Sequence, residues 1–397
     1  MKKILALLLA MAMVFALVSC GSSTTATSEA EAAPAASEAA EEAAPAEEAA
    51  PAEEAAPAEE AASGAEIALV CDANSGGIND RGFNQSTYEG IETFCAETGH
   101  TYGYYETSEA TIDALYETID LAVLNGAKVI VTAGGNYIGM MEDVFAAYPD
   151  LYFVCNEVNF TTPGDNAVDY LFEAQQAGWL AGVAAVYEGY TDIGIMCGMQ
   201  IRPNHLAGFG FVQGVNYAAG VLGIDDITVK YWYTNSFDPS ADIQAYAAGW
   251  YQDGTQLIAA FCGGAAPSIW AAAEANDGLC MGCDIDQYYE SDVIITSFLK
   301  NVNASTYAGL EAWENGEFPG GQTINYGVAE DGVGLALEHS KMTVFNEELY
   351  AQYVDMLLND TDGVNSGLID PDRDNAQTVP EFWDLVTEQN ITLEYYE

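Results

Sequence analysis

Between residues 66 and 283, short apolar runs alternate with amphipathic segments twice over, and this alternation most restricts the architectures open to the chain. The first series predicts strands at 66–72, 101–106, 128–132 and 151–156, with helices at 83–98, 112–125 and 137–147 between them. A long apolar helix at 170–188 opens the second. Strands at 193–197, 228–233, 257–262 and 279–283 follow, interleaved with helices at 205–222, 239–253 and 267–276. Apolar runs this short, separated by helices, are buried parallel strands joined by right-handed crossovers. The predicted fold class is α/β, with two doubly wound parallel-sheet lobes and a ligand cleft between them. The first lobe is expected over 65–168 with a return near 298–340, and the second over 169–297 with the C-terminal segment near 341–397.

In open parallel sheets, ligands bind beyond the carboxyl ends of the strands. The run from Ile67 delivers Asp72 to such an end, and the Gly-rich turn from Asn74 to Gly82 leads into a helix beginning near Phe83. Asp72, Asn79, Asp80, Phe83 and Asn84 are therefore expected to line a small-molecule cleft. Polar or glycine-rich residues recur on the same edge: Gly134 to Asn136, Asn156 with Glu157, Gly198 to Gln200, Gly263 with Gly264, and Asp284 with Asp286. The glycine pair reads equally well as a tight strand-to-helix turn or as backbone exposed to a ligand. No GxxxxGK[ST] loop is present and the first turn is acidic, which argues against a phosphorylated ligand.

The N-terminus predicts place. Lys2 and Lys3, an apolar run from Ile4 to Val18 and Leu17-Val-Ser-Cys20 make an export signal that looks like a bacterial lipobox. Residues 1–19 would leave as a signal peptide, and Cys20 would carry acyl chains, palmitate among them, holding the protein on the extracytoplasmic face of the cell membrane. Residues 20–64 read as a disordered tether of Ala, Glu and Pro, in which the motif starting at Pro45 repeats at Pro51 and Pro57. Prolines interrupt helix and paired glutamates repel, so the segment could extend on the order of 100 Å. The formal charge of −52 makes nucleic acid and anionic lipid headgroups poor partners, because binding either needs clustered Lys and Arg.

Eight cysteines include Cys20, and most of the rest sit in apolar strand patterns, as small buried residues do. Cys280 and Cys283 have metal or redox spacing but form a lone pair, and the three histidines are scattered. No metal and no cofactor is expected. Asp284 and Asp286 could suggest acid–base work, but no nucleophile–base constellation accompanies them, so no enzyme activity is expected.

In combination, these residues resemble the basic membrane protein family of bacterial lipoproteins, the nucleoside-binding subunits of ABC transporters. The likeness rests on the segment Asp72 to Ser86 with Glu89 and Gly90, and on Gly194 to Met199, Gly210 to Gly214, Gly263 with Gly264, Gly282 to Gln287, and Thr296 to Val302. It implies a type I periplasmic-binding-protein fold, capture of a purine or pyrimidine nucleoside, and an ABC permease as partner; a purine is the favoured ligand and a monomer is expected. A sugar or other small molecule is the alternative ligand. Carried over residue by residue, Phe83 stacks on the base, Asp72 and Asn84 pair with its edge, Asp284 accepts from the ribose hydroxyls, Gly263 and Gly264 expose backbone, and Lys300 donates. The chain departs from the family pattern twice. The second stacking aromatic is displaced, with Phe209 as its expected substitute, and Asn156 stands where an acid is usual. An amide both donates and accepts, which changes the base edges it prefers.

Overall fold

The computed structural model describes residues 64–162 and 164–397; the signal peptide, Cys20 and almost all of the tether lie outside the described residues. Five strands come first: β1 (Ile67–Asp72), β2 (Tyr102–Thr107), β3 (Val129–Ala133), β4 (Tyr152–Asn156) and β5 (Ala167–Phe172). Helices α1 (Phe83–Thr98), α2 (Ile112–Leu124) and α3 (Met141–Ala147) separate the first four of them. After α4 (Ala174–Tyr187) come β6 (Asp192–Cys197), α5 (Arg202–Leu222), β7 (Thr228–Tyr233), α6 (Ala241–Gln252), β8 (Leu257–Phe261), α7 (Ala266–Ala275), β9 (Leu279–Asp284) and β10 (Ile294–Lys300). The chain closes with α8 (Val302–Glu314), β11 (Gln322–Tyr326), β12 (Val333–Leu335), α9 (Glu347–Leu358), α10 (Val379–Leu385) and β13 (Thr392–Tyr396).

The strands form two sheets, ordered β11-β5-β4-β3-β1-β2 and β12-β10-β9-β8-β6-β7-β13. All neighbours are parallel except β12, which runs antiparallel to β10. Helices cover both faces of each sheet. In β1, Ala68 and Val70 enter one core while Ile67, Leu69 and Cys71 enter the other, which is why the run is apolar without alternation. The chain passes between the sheets after β5, after β10 and after β11.

The expected helix at 170–188 is in fact the end of β5 followed by α4, with Glu173 alone between them. Both elements are apolar, and α4 is buried from Ala174 to Val186, so periodicity offered no break. Consequently β5 belongs to the first sheet, and β10 stays whole in the second rather than dividing near residue 298.

α4 and α5 touch backbone to backbone. A Cβ on Gly178 or Gly182 would overlap the carbonyl oxygen of Ala207 or Phe211, and one on Gly210 or Gly214 would overlap that of Gln175 or Trp179. Four glycines, paired at i and i+4 on each helix, thus set how closely the helices approach. That approach holds the first turns of α5 against the cleft.

Candidate ligand cleft

The cleft lies where the carboxyl ends of both sheets face each other and encloses about 710 Å³, mouth included. From the first sheet come Asp72, Asp80, Phe83, Asn84, Asn136 and Glu157; from the second, Asn204, Phe237, Gly263, Gly264, Asp284 and Lys300.

Each polar group is held by its neighbours. Asp72 ends β1 and accepts from the Asn74 backbone N–H at 3.0 Å, from Asn136 Nδ2 at 2.8 Å and from Ser75 Oγ at 3.3 Å. Asp80 accepts from the backbone N–H groups of Gly82, Asn84 and Gln85 at 2.9–3.0 Å, satisfying the free donors at the start of α1. Burial pushes its carboxyl up to about 6, against the pull of those donors. Asn84 donates from Nδ2 to Gly77 O at 3.0 Å.

Lys300, at the end of β10, reaches across the cleft to Glu157 Oε2 at 2.8 Å and lies 3.9 Å from Asp284 Oδ1. Its ammonium also sits 5.3 Å from the centre of the Phe83 ring, within cation–π range. Burial works to lower this ammonium, but the carboxylates of Glu157 and Asp284 outweigh it and hold it above its ordinary value. For Glu157, burial pushes the carboxyl up while Lys300 pulls it down. The net direction for Glu157 is upward, and the 2.8 Å contact, with a second carboxylate beside the ammonium, pairs the two side chains. Further contacts tie the lobes together at the rim. Gln287 Nε2 donates to Arg81 O at 2.6 Å, and Arg81 pairs with Glu290 at 2.7 Å. Gly264 has no room for a side chain: a Cβ there would stand 2.9 Å from Phe237 O and 3.0 Å from Ser75 O of the opposite lobe.

Residues 67–359 match the family described as "Bmp: ABC transporter substrate-binding protein PnrA-like". The chain belongs to this family of substrate-binding proteins. It is 27% identical over 297 residues to the "ABC transporter nucleoside-binding protein BmpA" of Lactococcus lactis, covering 69% of this chain and 82% of that one. To the "CD4+ T-cell-stimulating antigen" of Listeria monocytogenes it is 26% identical over 320 residues, covering 72% and 85%. Among solved structures, an ABC transporter solute-binding protein from Aeropyrum pernix superposes with a TM-score of 0.62 at 22% identity, covering 82% of this chain and 90% of that one. The two-lobe arrangement is thus the type I solute-binding fold. Membership of the Bmp family brings a small-molecule ligand and a transporter partner, and makes the chain a binding protein rather than an enzyme.

Within this substrate-binding protein, Asp72, Phe83, Asn84, Gly263, Gly264, Asp284 and Lys300 all line the cleft. Three expectations need correction. Asn79 is exposed on the outer side of its turn and does not line the cleft. Phe209 is fully buried on the far side of α5, stacked on Phe382 at 4.2 Å and on His205 at 5.4 Å; the aromatics that line the cleft with Phe83 are Phe237, from the loop after β7, and Phe261 and Phe298 of β8 and β10. Asn156 also points away: it donates to Thr306 Oγ1 at 2.9 Å and accepts from Ser305 Oγ at 2.7 Å, tying β4 to α8. The acid facing the cleft is its neighbour Glu157. Phe237 had one usable signal in the sequence, an aromatic in a polar loop beyond the carboxyl end of a strand.

Among the described residues, no group of three or more His, Cys, Asp or Glu side chains is arranged to hold a metal. Cys280 and Cys283 are buried free thiols, and Cys283 Sγ donates to Asp284 Oδ2 at 3.4 Å. No described helix is long and apolar enough to cross a membrane.

Proposed function

We propose that this protein captures a nucleoside, purine favoured, as a monomer, and delivers it to an ABC importer at the extracytoplasmic face of the cell membrane, anchored there by acyl chains on Cys20. The observation that carries the reading is the make-up of the cleft: phenyl rings, Phe83 and Phe237 with Phe261 and Phe298 behind them, beside carboxylates, amides and a single ammonium. A nucleoside offers a π-face to a ring, a base edge of mixed donors and acceptors, and adjacent ribose hydroxyls. Phe83 stacks on the base, Asp72 and Asn84 read its edge, and Asp284 accepts from the ribose while Lys300 donates to it. Gly263 and Gly264 let the ligand approach the backbone. The name of the Lactococcus relative supports the same class of ligand.

Thermal shift and calorimetry test the proposal. Inosine, guanosine, adenosine or uridine should raise the melting temperature and bind, while pentoses and hexoses should not. A sugar that binds where every nucleoside fails would reassign the ligand, and mass spectrometry of material co-purified with the protein would name it.

A further inference from the structure

Glu157 sits one residue beyond β4 in left-handed backbone, φ 57°, and Asn159 follows at φ 48°. Two non-glycine residues in this region within three positions are costly, and persist only where the surroundings impose them. Here the imposing group is Asp169. It is buried on β5 and accepts from the Val158 backbone N–H at 3.2 Å, inside the turn. The turn so held sends Asn156 toward α8 and Glu157 into the cleft, against Lys300.

Lys300 is the only Lys, Arg or His among the described residues lining the cleft. Arg81 is turned toward Glu290, and Arg202 toward Asp370 and Asp372. An anionic ligand would therefore depend on Lys300, whose charge is already met by Glu157 at 2.8 Å and approached by Asp284 at 3.9 Å. The ammonium keeps two protons for neutral hydroxyl oxygens, but its attraction for a further negative charge is cancelled.

We propose that Glu157 sets the charge selectivity of the cleft: by engaging Lys300 it neutralises the one cation facing the ligand, so the site takes an uncharged ligand and rejects its phosphorylated or carboxylated form. The proposal rests on the nucleoside reading only for its choice of probes.

Calorimetry with guanosine and guanosine 5′-monophosphate gives the ratio of the two affinities, which general damage to the cleft would leave alone. Wild type should prefer guanosine by about 100-fold or more, and Glu157→Gln should narrow that preference at least about tenfold. Adding Lys300→Met to that variant should restore the wider ratio. Glu157→Asp keeps the charge on a shorter stem and should narrow the ratio by a smaller factor, which serves if Glu157→Gln does not melt cooperatively. A ratio unchanged in both variants overturns the proposal while leaving nucleoside capture standing. If no nucleoside binds wild type, the nucleoside reading fails, and the same ratio is taken with D-ribose and D-ribose 5-phosphate. An unchanged ratio there, or no binding of either sugar, overturns the charge-selectivity proposal too.

Discussion

Replacing Gly178 by alanine tests whether packing between α4 and α5 sets the shape of the cleft. The new Cβ would lie 2.9 Å from the Phe211 backbone nitrogen and 3.1 Å from the Ala207 carbonyl carbon, and would overlap the Ala207 oxygen. Non-bonded heavy atoms settle near 3.5–4 Å, so α5 has to retreat by about 1 Å. Overpacking of this kind costs about 1–3 kcal/mol, and alanine recovers up to about 1 kcal/mol through its better helix propensity. The expected net loss is about 1–2 kcal/mol, read as a lower urea midpoint with an unchanged m-value. Ala207 is itself part of the cleft wall, so ligand affinity should fall about tenfold in the same variant. Gly249→Ala is the matched control: it lies in α6 with nothing within 4 Å of its would-be Cβ, and should gain about 0.5–1 kcal/mol. If Gly178→Ala proves as stable as Gly249→Ala, the helices are not in backbone contact and the argument fails.

Phe83→Ala should weaken nucleoside binding by about 1–3 kcal/mol in calorimetry; an unaltered dissociation constant would mean the ring only packs against Phe172 and Lys300. His205 is buried against Tyr233 and Phe209, and burial lowers its pKa from 6.5 to about 4. The unfolded chain therefore binds this proton first, so as pH falls from about 6.5 to 4 the imidazole should withdraw up to about 3 kcal/mol of stability. His205→Gln should flatten the acid limb of the stability curve over that window, and parallel curves for the two proteins would contradict the assignment. The difference isolates the imidazole from Asp80 and Asp169, which burial lifts to about 6 and about 7 and which gain stability on acidification. Cys20→Ser should move the protein from the membrane to the soluble fraction, and continued membrane association would rule out the lipid anchor.

Much of the cleft was legible because one rule of topology gathers residues distant in sequence. Asp72, Gly263 and Asp284 each follow or end an apolar run, and parallel strands bring those ends to one edge. The bounds of α1 and β7 fell at the expected residues, 83–98 and 228–233; Gly82 and Gly99 bracket the helix, and Asp225 with Asp226 and Thr234 with Asn235 flank the run from Ile227 to Tyr233 that holds the strand. The resemblance to a known family was legible for a different reason: it rests on the order and spacing of short motifs, which survive where overall identity is low.

What only the tertiary structure decided was direction. Pro203, Asn204 and Ala207 of α5 share the face that meets the cleft, and Phe209, two residues beyond Ala207, lies about 200° around the helix and so enters the core. The sequence marked both faces of α5 as apolar and could not say which one the other lobe would leave open. Asn156 and Glu157 are adjacent, and which of them turns to the ligand depends on a left-handed turn that Asp169 imposes from the neighbouring strand. The sequence by itself determined which segments become strands and helices and which edge carries the site, because burial on both faces needs particular residue types. Contacts between segments far apart in the chain determined which side chains enter the cleft, because rotating a helix or flipping one peptide redirects a side chain without changing any local pattern.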